Sequence, residues 1–460
     1  MQEGSSRDKL LSLFKDVVLP LADAYAATRS TLQWSAQDTS LVIGDRRIAV
    51  PEISRIYLVG AGKAGVPMAR GVVDTLQEDA GLWSKFAGGT VNVYRDQASA
   101  SIPGVTLYAA DHPHPNQASV DGARAALDLI SHATAGDLVI AVISGGGSSL
   151  LTLPGEGISL DDFGATNRVL VTGGATIQEI NTVRKHLSQV KGGRLRMAAP
   201  EAMFVTLVLS DVIGDDLSSI ASGPTVPDPT TCADAIKVLE QHGLWGRIPE
   251  ACQSHLIKGD PREPHRAALW SEQLTPRTHT VIVASNAVLL RSLSHLLASP
   301  QYSSLASNLH VEESPVLGPV DEAVDHHFSL ATTLAASPGR GTLLLFGGEP
   351  TVSVPPGAGG TGGRMLHYAL LAAMRIAGRD WTILASGTDG IDGTAPAAGA
   401  VVDGTTVQLA LEHDLLPEEY LHSFDSYGFF KELERRSGER FLNVTGPTGT
   451  NVNDIMLWLL

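Results

Sequence analysis

Five apolar runs in this chain end directly in loops of glycine, serine or aspartate: Ile56–Val59, Leu138–Ile143, Met203–Leu209, Thr342–Phe346 and Trp381–Ala385. Helix-compatible stretches lie between them, among them Ser119–Ala133 and the residues from Val66 onward. Strands separated by helices pair through crossovers, which predicts an α/β architecture with mostly parallel sheets covered on both faces. Further strands are expected at Thr90–Tyr94 and Thr280–Ala284, and a first helix over residues 8–29. In open α/β sheets, ligands bind beyond the carboxyl ends of the strands. The five loops lie there.

A chain of 460 residues exceeds what one hydrophobic core organises, so two lobes are expected. The first is a Rossmann-like domain over residues 1–275, closed by a helical connector at Pro224–Pro276. The second is a smaller α/β domain over residues 276–460, with the functional cleft between the two. The formal net charge of −16 argues against nucleic acid or an anionic membrane as partner. A small anion is still allowed, because Arg184, Lys185, Lys191, Arg194 and Arg196 form a local basic run. No apolar run is long enough to span a bilayer, and the polar start from Met1 to Asp8 leads into no signal-peptide core. The two cysteines, Cys232 and Cys252, stand outside any C-x-x-C pattern. They fit a reducing cytoplasm, and neither a disulfide framework nor a structural zinc site is expected.

Two loops read as anion cradles. Gly60-Ala61-Gly62-Lys63-Ala64-Gly65 follows a strand and opens a helix, a geometry that turns backbone N–H groups toward an anion. A dinucleotide site would also need an acid about 20 residues on, at the end of the next strand. Asp74 and Glu78 fall inside the expected helix, and Asp96 comes later than that spacing. Lys63 points instead to a phosphate or carboxylate, and a structural tight turn is the plain alternative. Ser144-Gly145-Gly146-Gly147-Ser148-Ser149 caps the most apolar strand and adds hydroxyl donors. It lacks the G-x-S-x-G order of a nucleophile elbow. Neither a Walker A motif nor the protein-kinase motif set occurs.

The acidic candidates are Asp211, with Asp215 and Asp216 beyond it, and Asp389 with Asp392. Carboxylates in oxygen-only company suit Mg²⁺, and one can equally take a proton from an attacking hydroxyl. Turn and cap duty is the alternative, strongest for Asp215, Asp216 and Asp392. Five glycines between Gly357 and Gly363 precede Arg364, which can swing toward a phosphoryl group. His112 and His114 lack an evident third metal ligand and read as a rigid wall.

Together these motifs resemble the glycerate 2-kinases whose C-terminal part is called the MOFRL domain. The resemblance rests on Val59–Gly65, Asp111–Pro115, Ser144–Leu150, Val183–His186 with Lys191–Gly193, Ser210–Asp215, Ser222–Thr225, Gly387–Gly393 and Thr445–Asn451. It implies transfer of the γ-phosphate of ATP to the 2-hydroxyl of D-glycerate with a divalent cation, and Lys63, Asp211, Arg364 and Asp389 as catalytic residues. The same resemblance leaves an NAD(P)H-dependent hydroxypyruvate reductase as the competing activity. ATP would lie on Gly60, Gly62, Gly65 and Ser144–Ser149. The acid would lie on Arg184, Lys185 and Lys191, and Mg²⁺ on Asp211 and Asp389. A cytoplasmic enzyme is expected, and a homodimer is compatible with this reading. The family continues its arginine as Gly-Arg-Asn-Gln-Glu, whereas this chain has Gly363-Arg364-Met365-Leu366-His367. Met365 beside the substrate would then favour a related hydroxy acid.

Overall fold

The computed structural model describes residues 5–261, 263–335 and 341–460. It contains two compact units: Ala24–Val283, and Met1–Asp23 together with Ala284–Leu460. The chain's start therefore groups with its C-terminal part, unlike the expected division at residue 275. The helix expected over 8–29 is broken into Ser6–Leu13, a π turn at Phe14–Val18, Leu19–Ala22 and Ala24–Thr31. Pro20 has no N–H to continue the ladder, and Asp23 leaves the helical region with ψ 122°. The unit boundary falls at that break.

The Ala24–Val283 unit begins with an antiparallel sheet that the sequence pattern did not reveal: β1 (Leu32–Ser35), β2 (Ser40–Ile43) and β3 (Arg46–Ala49). The main sheet follows, built from β4 (Ile56–Ala61), β5 (Phe86–Tyr94), β6 (Val105–Ala110), β7 (Leu138–Ser144), β8 (Met203–Leu209) and β9 (Thr278–Ala284). Its order is β6-β5-β4-β7-β8-β9, and β4 to β8 pair in parallel. Numbered within the sheet, this is the 3-2-1-4-5-6 order of doubly wound nucleotide-binding folds, which reverses between β4 and β7. Every residue of β4 and β7 is buried. Pro224–Pro276 is not a linker. Its helices Cys232–Gln241 and Glu250–Lys258 share a core with Leu160–Thr172 and Ile177–His186 through Phe163, Leu170, Val183, Leu239 and Leu256.

The other unit carries β10 (Asn308–Val311), β11 (Thr342–Gly348), β12 (Thr382–Gly387), β13 (Gly399–Asp403), β14 (Leu442–Asn443) and β15 (Asp454–Leu459). The order is β10-β11-β15-β12-β13-β14. Only β10 and β11 pair in parallel; β15 enters antiparallel between β11 and β12, and β13 and β14 extend the antiparallel edge. The expectation of parallel sheets fails here because residues 388–398 join β12 to β13 without a helix. One core of Phe346, Met365, Tyr368, Phe430 and Trp458 supports the sheet. The register sets Asp454 opposite both Gly348 and Gly387, so three loop ends meet there.

Candidate functional site

In the first unit the two glycine loops leave adjacent strands at the point where the sheet order reverses. They do different things. In the Gly60 loop, the N–H of Gly62 donates to the Asn92 carbonyl at 3.2 Å and that of Lys63 to the Gly145 carbonyl at 2.9 Å. Ala64 N–H donates to Ser144 Oγ at 3.0 Å, and Gly65 N–H to the Gly62 carbonyl at 3.0 Å. Those donors are spent inside the protein. The glycines serve close approach instead: a Cβ on Gly62, at φ +144°, would stand 1.9 Å from Ser144 Oγ and 2.7 Å from its carbonyl. The exposed element of this loop is Lys63.

The second loop is open. Among the described residues the N–H groups of Gly146, Gly147 and Ser148 make no hydrogen bond to the protein. Gly146 adopts φ +78°, and a Cβ there would meet Lys63 Cγ at 3.1 Å and His112 Cδ2 at 3.2 Å. A Cβ on Gly145 would meet Asp211 Oδ2 at 1.9 Å. Lys63, His112 and Asp211 thus flank one turn. His112 is pushed down to about 4, first by burial, then by the Lys63 charge and by His114, so it is neutral at pH 7. The serine hydroxyls position the turn: Ser149 Oγ donates to the Pro113 carbonyl at 2.7 Å, and Ser148 Oγ lies 2.9 Å from Ser222 Oγ. Ser222 in turn donates to Asn181 Oδ1 at 3.1 Å. Ala221, Ser222 and Gly223 all have positive φ, a strained arrangement that sequence reading missed. The Ser222-Gly-Pro-Thr225 motif was its signal.

The basic run is mostly internal. Lys191 is buried and donates to the carbonyls of Ser148 at 2.6 Å and Leu151 at 3.0 Å, which holds the Gly147–Leu150 turn from below. Burial, with Arg184 nearby, pushes it down to about 7. Lys185 pairs with buried Asp228 at 3.7 Å, Arg194 with Asp260 at 3.1 Å, and Arg196 donates to the carbonyls of Ala199 and Ala202. Arg184 is only partly buried and donates to Asn167 Oδ1 at 2.8 Å. Lys191 therefore braces the second loop, and Lys185 and Lys191, expected to hold the substrate acid, both have internal partners.

In the other unit a cavity of about 790 Å³ is lined by Glu349, Arg364, His367, Asp389, Asp392 and Asp454, with glycines of the 357–363 loop. Arg364 does not swing from that loop. It is the first residue of helix Arg364–Arg375, bonded to both carboxylate oxygens of Asp454 and to Glu349 Oε1 at 2.9 Å. Burial opposes its charge, but Asp454 and Glu349 outweigh burial and raise its pKa. Asp392 caps the same helix, accepting from Met365 N–H at 3.2 Å and Leu366 N–H at 2.7 Å. Burial pushes Asp392 up to about 6 against those donors, and Asp454 up to about 7 against Arg364. Asp389 lines the cavity and accepts from Ile391 N–H in a local turn at 3.3 Å. Asp454 was missed. A charge opening the final apolar strand, Ile455–Leu459, was the available clue.

Met365 corrects the sequence reading outright. Its side chain is 0% exposed in the core with Phe346 and Trp458, outside the cavity lining. A helix turns residue 365 about 100° from residue 364, so one faces the carboxylates and the other the core.

Two family models match the chain. Residues 10–257 match a family described as a domain of unknown function, DUF4147, and residues 342–454 match the MOFRL family. A glycerate 2-kinase of Pyrococcus horikoshii is 35% identical over 95% of this chain and 93% of its own. A D-glycerate 2-kinase of Thermotoga maritima is 36% identical over 89% and 91%. The chain belongs to the glycerate 2-kinase family. The crystal structure of the Thermotoga maritima glycerate kinase superposes with a TM-score of 0.83 at 31% identity, covering 99% of each chain. Two Agrobacterium vitis members, each 37% identical, carry the provisional name hydroxypyruvate reductase. Among the described residues of this family member, no helix is long and apolar enough to cross a membrane.

Proposed function

We propose that this enzyme transfers the γ-phosphate of ATP to the 2-hydroxyl of D-glycerate, giving 2-phosphoglycerate. The observation that carries the reading is the turn whose Gly146, Gly147 and Ser148 N–H groups make no hydrogen bond among the described residues, with Lys63 against Gly146. A cation beside unspent backbone donors, at the switch point of a doubly wound sheet, is a receptor for phosphate or carboxylate. The acidic cavity of the other unit supplies the opposite charge. Its four carboxylates around one guanidinium form an oxygen-only donor set with excess negative charge, which fits a divalent cation. Asp389, which lines the cavity, would hold it; Asp392 caps a helix, and Glu349 and Asp454 both pair with Arg364. Such an ion, when bound, neutralises charge on the nucleotide phosphates.

Asp389 and Asp211 divide two roles, holding the ion and accepting the proton of the attacking hydroxyl. Arg364, fixed by its carboxylates, offers a preorganised positive group at no reorientation cost. The reductase alternative asks the Gly60 loop to cradle a pyrophosphate, and the N–H groups of residues 62–65 already have acceptors. Incubation with ATP, Mg²⁺ and D-glycerate should release ADP and form 2-phosphoglycerate, while hydroxypyruvate should not consume NADH or NADPH. Consumption of reduced cofactor with no ADP release would reverse the assignment.

A further inference from the structure

Away from these sites, three side chains from three separate segments converge. His186 ends helix Ile177–His186, Cys232 begins helix Cys232–Gln241, and Glu263 begins helix Glu263–Ala268. His186 Nδ1 lies 3.6 Å from Cys232 Sγ and 3.3 Å from Glu263 Oε1, and the three donor atoms lie within 4.8 Å of one another. Two tetrahedral zinc ligands at ordinary bond lengths are about 3.5 Å apart for a nitrogen–sulfur pair and about 3.3 Å apart for a nitrogen–oxygen pair. The two separations, 3.6 and 3.3 Å, match these values.

The far side of the ring supplies an independent observation. His186 Nε2 faces Thr230 Oγ1 at 3.0 Å and Asp228 Oδ2 at 3.5 Å. Asp228 is buried, and its Oδ2 has no hydrogen-bond partner. A metal-ligating histidine characteristically directs its other N–H at a carboxylate, which fixes the tautomer. With Nδ1 on a metal, Nε2 carries the proton that the Asp228 oxygen lacks. Arg266, which donates to the Thr230 carbonyl, and Arg194, paired with Asp260, bring positive charge nearby; the carboxylates of Asp228, Asp260 and Glu263 offset it. His186 also lines a cavity of about 310 Å³ together with Arg194, His255 and Asp260.

We propose that His186, Cys232 and Glu263 form a zinc-type site that clamps the 232–268 helices onto the helix ending at His186. The proposal departs from the composition-based expectation of no zinc site, because the ligands come from three distant segments rather than from a spacing motif. Binding replaces the Cys232 thiol proton, which leaves to solvent, and the thiolate, imidazole and carboxylate supply sulfur, nitrogen and oxygen.

The test uses the full-length protein stripped with chelator and reloaded with Zn²⁺ or Co²⁺. One equivalent of zinc should survive gel filtration and raise the melting temperature by several degrees. Cobalt should give visible ligand-field bands and a thiolate charge-transfer band, which Cys232→Ser abolishes and Cys252→Ser leaves intact. Should Cys232→Ser fold poorly, Glu263→Gln serves instead. It should weaken zinc binding at least as much as the roughly ten- to a hundredfold that losing an outer-shell partner costs. Sub-stoichiometric zinc, a charge-transfer band that persists in Cys232→Ser, or unaltered affinity in Glu263→Gln would overturn the proposal.

Discussion

The open turn at Gly146–Ser148 and the acidic cavity around Arg364 solve opposite electrostatic problems. The turn offers unspent N–H donors with one lysine beside them and is arranged for an anion. The cavity gathers four carboxylates around one arginine and is arranged for a cation. Each lies where strand ends converge, yet the means differ. Backbone makes the first site and side chains make the second. The contrast also separates the two glycine loops of the first unit. One is glycine-rich so that backbones can touch, the other so that donors stay open.

The largest effect should come from Lys63, the exposed cation beside the turn. Lys63→Ala should lower kcat roughly a thousandfold, in the range of lost electrostatic stabilisers, while leaving the melting temperature unchanged. Near-normal turnover would move the anion site away from this turn.

Gly62→Ala probes the loop whose glycines serve contact. The new Cβ collides with Ser144, in a φ region that L residues avoid. We expect about 3 kcal/mol of destabilisation by urea titration, from overpacking and backbone strain combined. A neutral outcome would mean that the β4 and β7 loops are not in close contact.

Met365→Asn tests where the cavity wall ends. Burying an amide in place of a core thioether should cost about 2 kcal/mol of stability and leave the ranking of hydroxy acids by kcat/KM unaltered. A shifted ranking would place residue 365 in contact with substrate after all.

Another effect concerns acid. Buried His327, beside Tyr368 and stacked on Phe346, is pushed from 6.5 down to about 3, by burial first and then by His326. The native state then binds fewer protons than the unfolded chain between those values. This stability is complete above pH 6.5 and drains as pH falls toward 3, by about 1.4 kcal/mol per pH unit. Denaturant midpoints measured from pH 7 downward should fall less steeply in His327→Gln. Equal slopes would locate the acid sensitivity elsewhere, for example at His186 in the other unit, which burial likewise holds down to about 4 despite Asp228.

Much of the molecule was legible from order along the chain. Strand Met203–Leu209 falls where its apolar run lies, and the cores of β4, β7, β11 and β12 do too. Apolar runs of strand length between helical stretches leave few alternatives. The short strands β1–β3 and β13–β14 were not legible, since segments this short carry little periodicity. The candidate site residues divide in the same way. Lys63, Asp211 and Asp389 were visible because each sits in a loop directly after an apolar run. Asp454 precedes its strand instead, and an antiparallel insertion brings it between β11 and β12.

The sequence by itself determined the alternation of strand and helix, the placing of polar loops at strand ends and the family of the chain. Those are local patterns, written within a few residues of one another. Tertiary structure alone decided which donors stay open, which cations are buried as braces and which carboxylates share one arginine. Whether an N–H or a charge is available depends on what a distant segment brings to it. Lys191 and Lys63 look alike in sequence, and only packing sets one beneath the Gly147–Leu150 turn and the other in solvent.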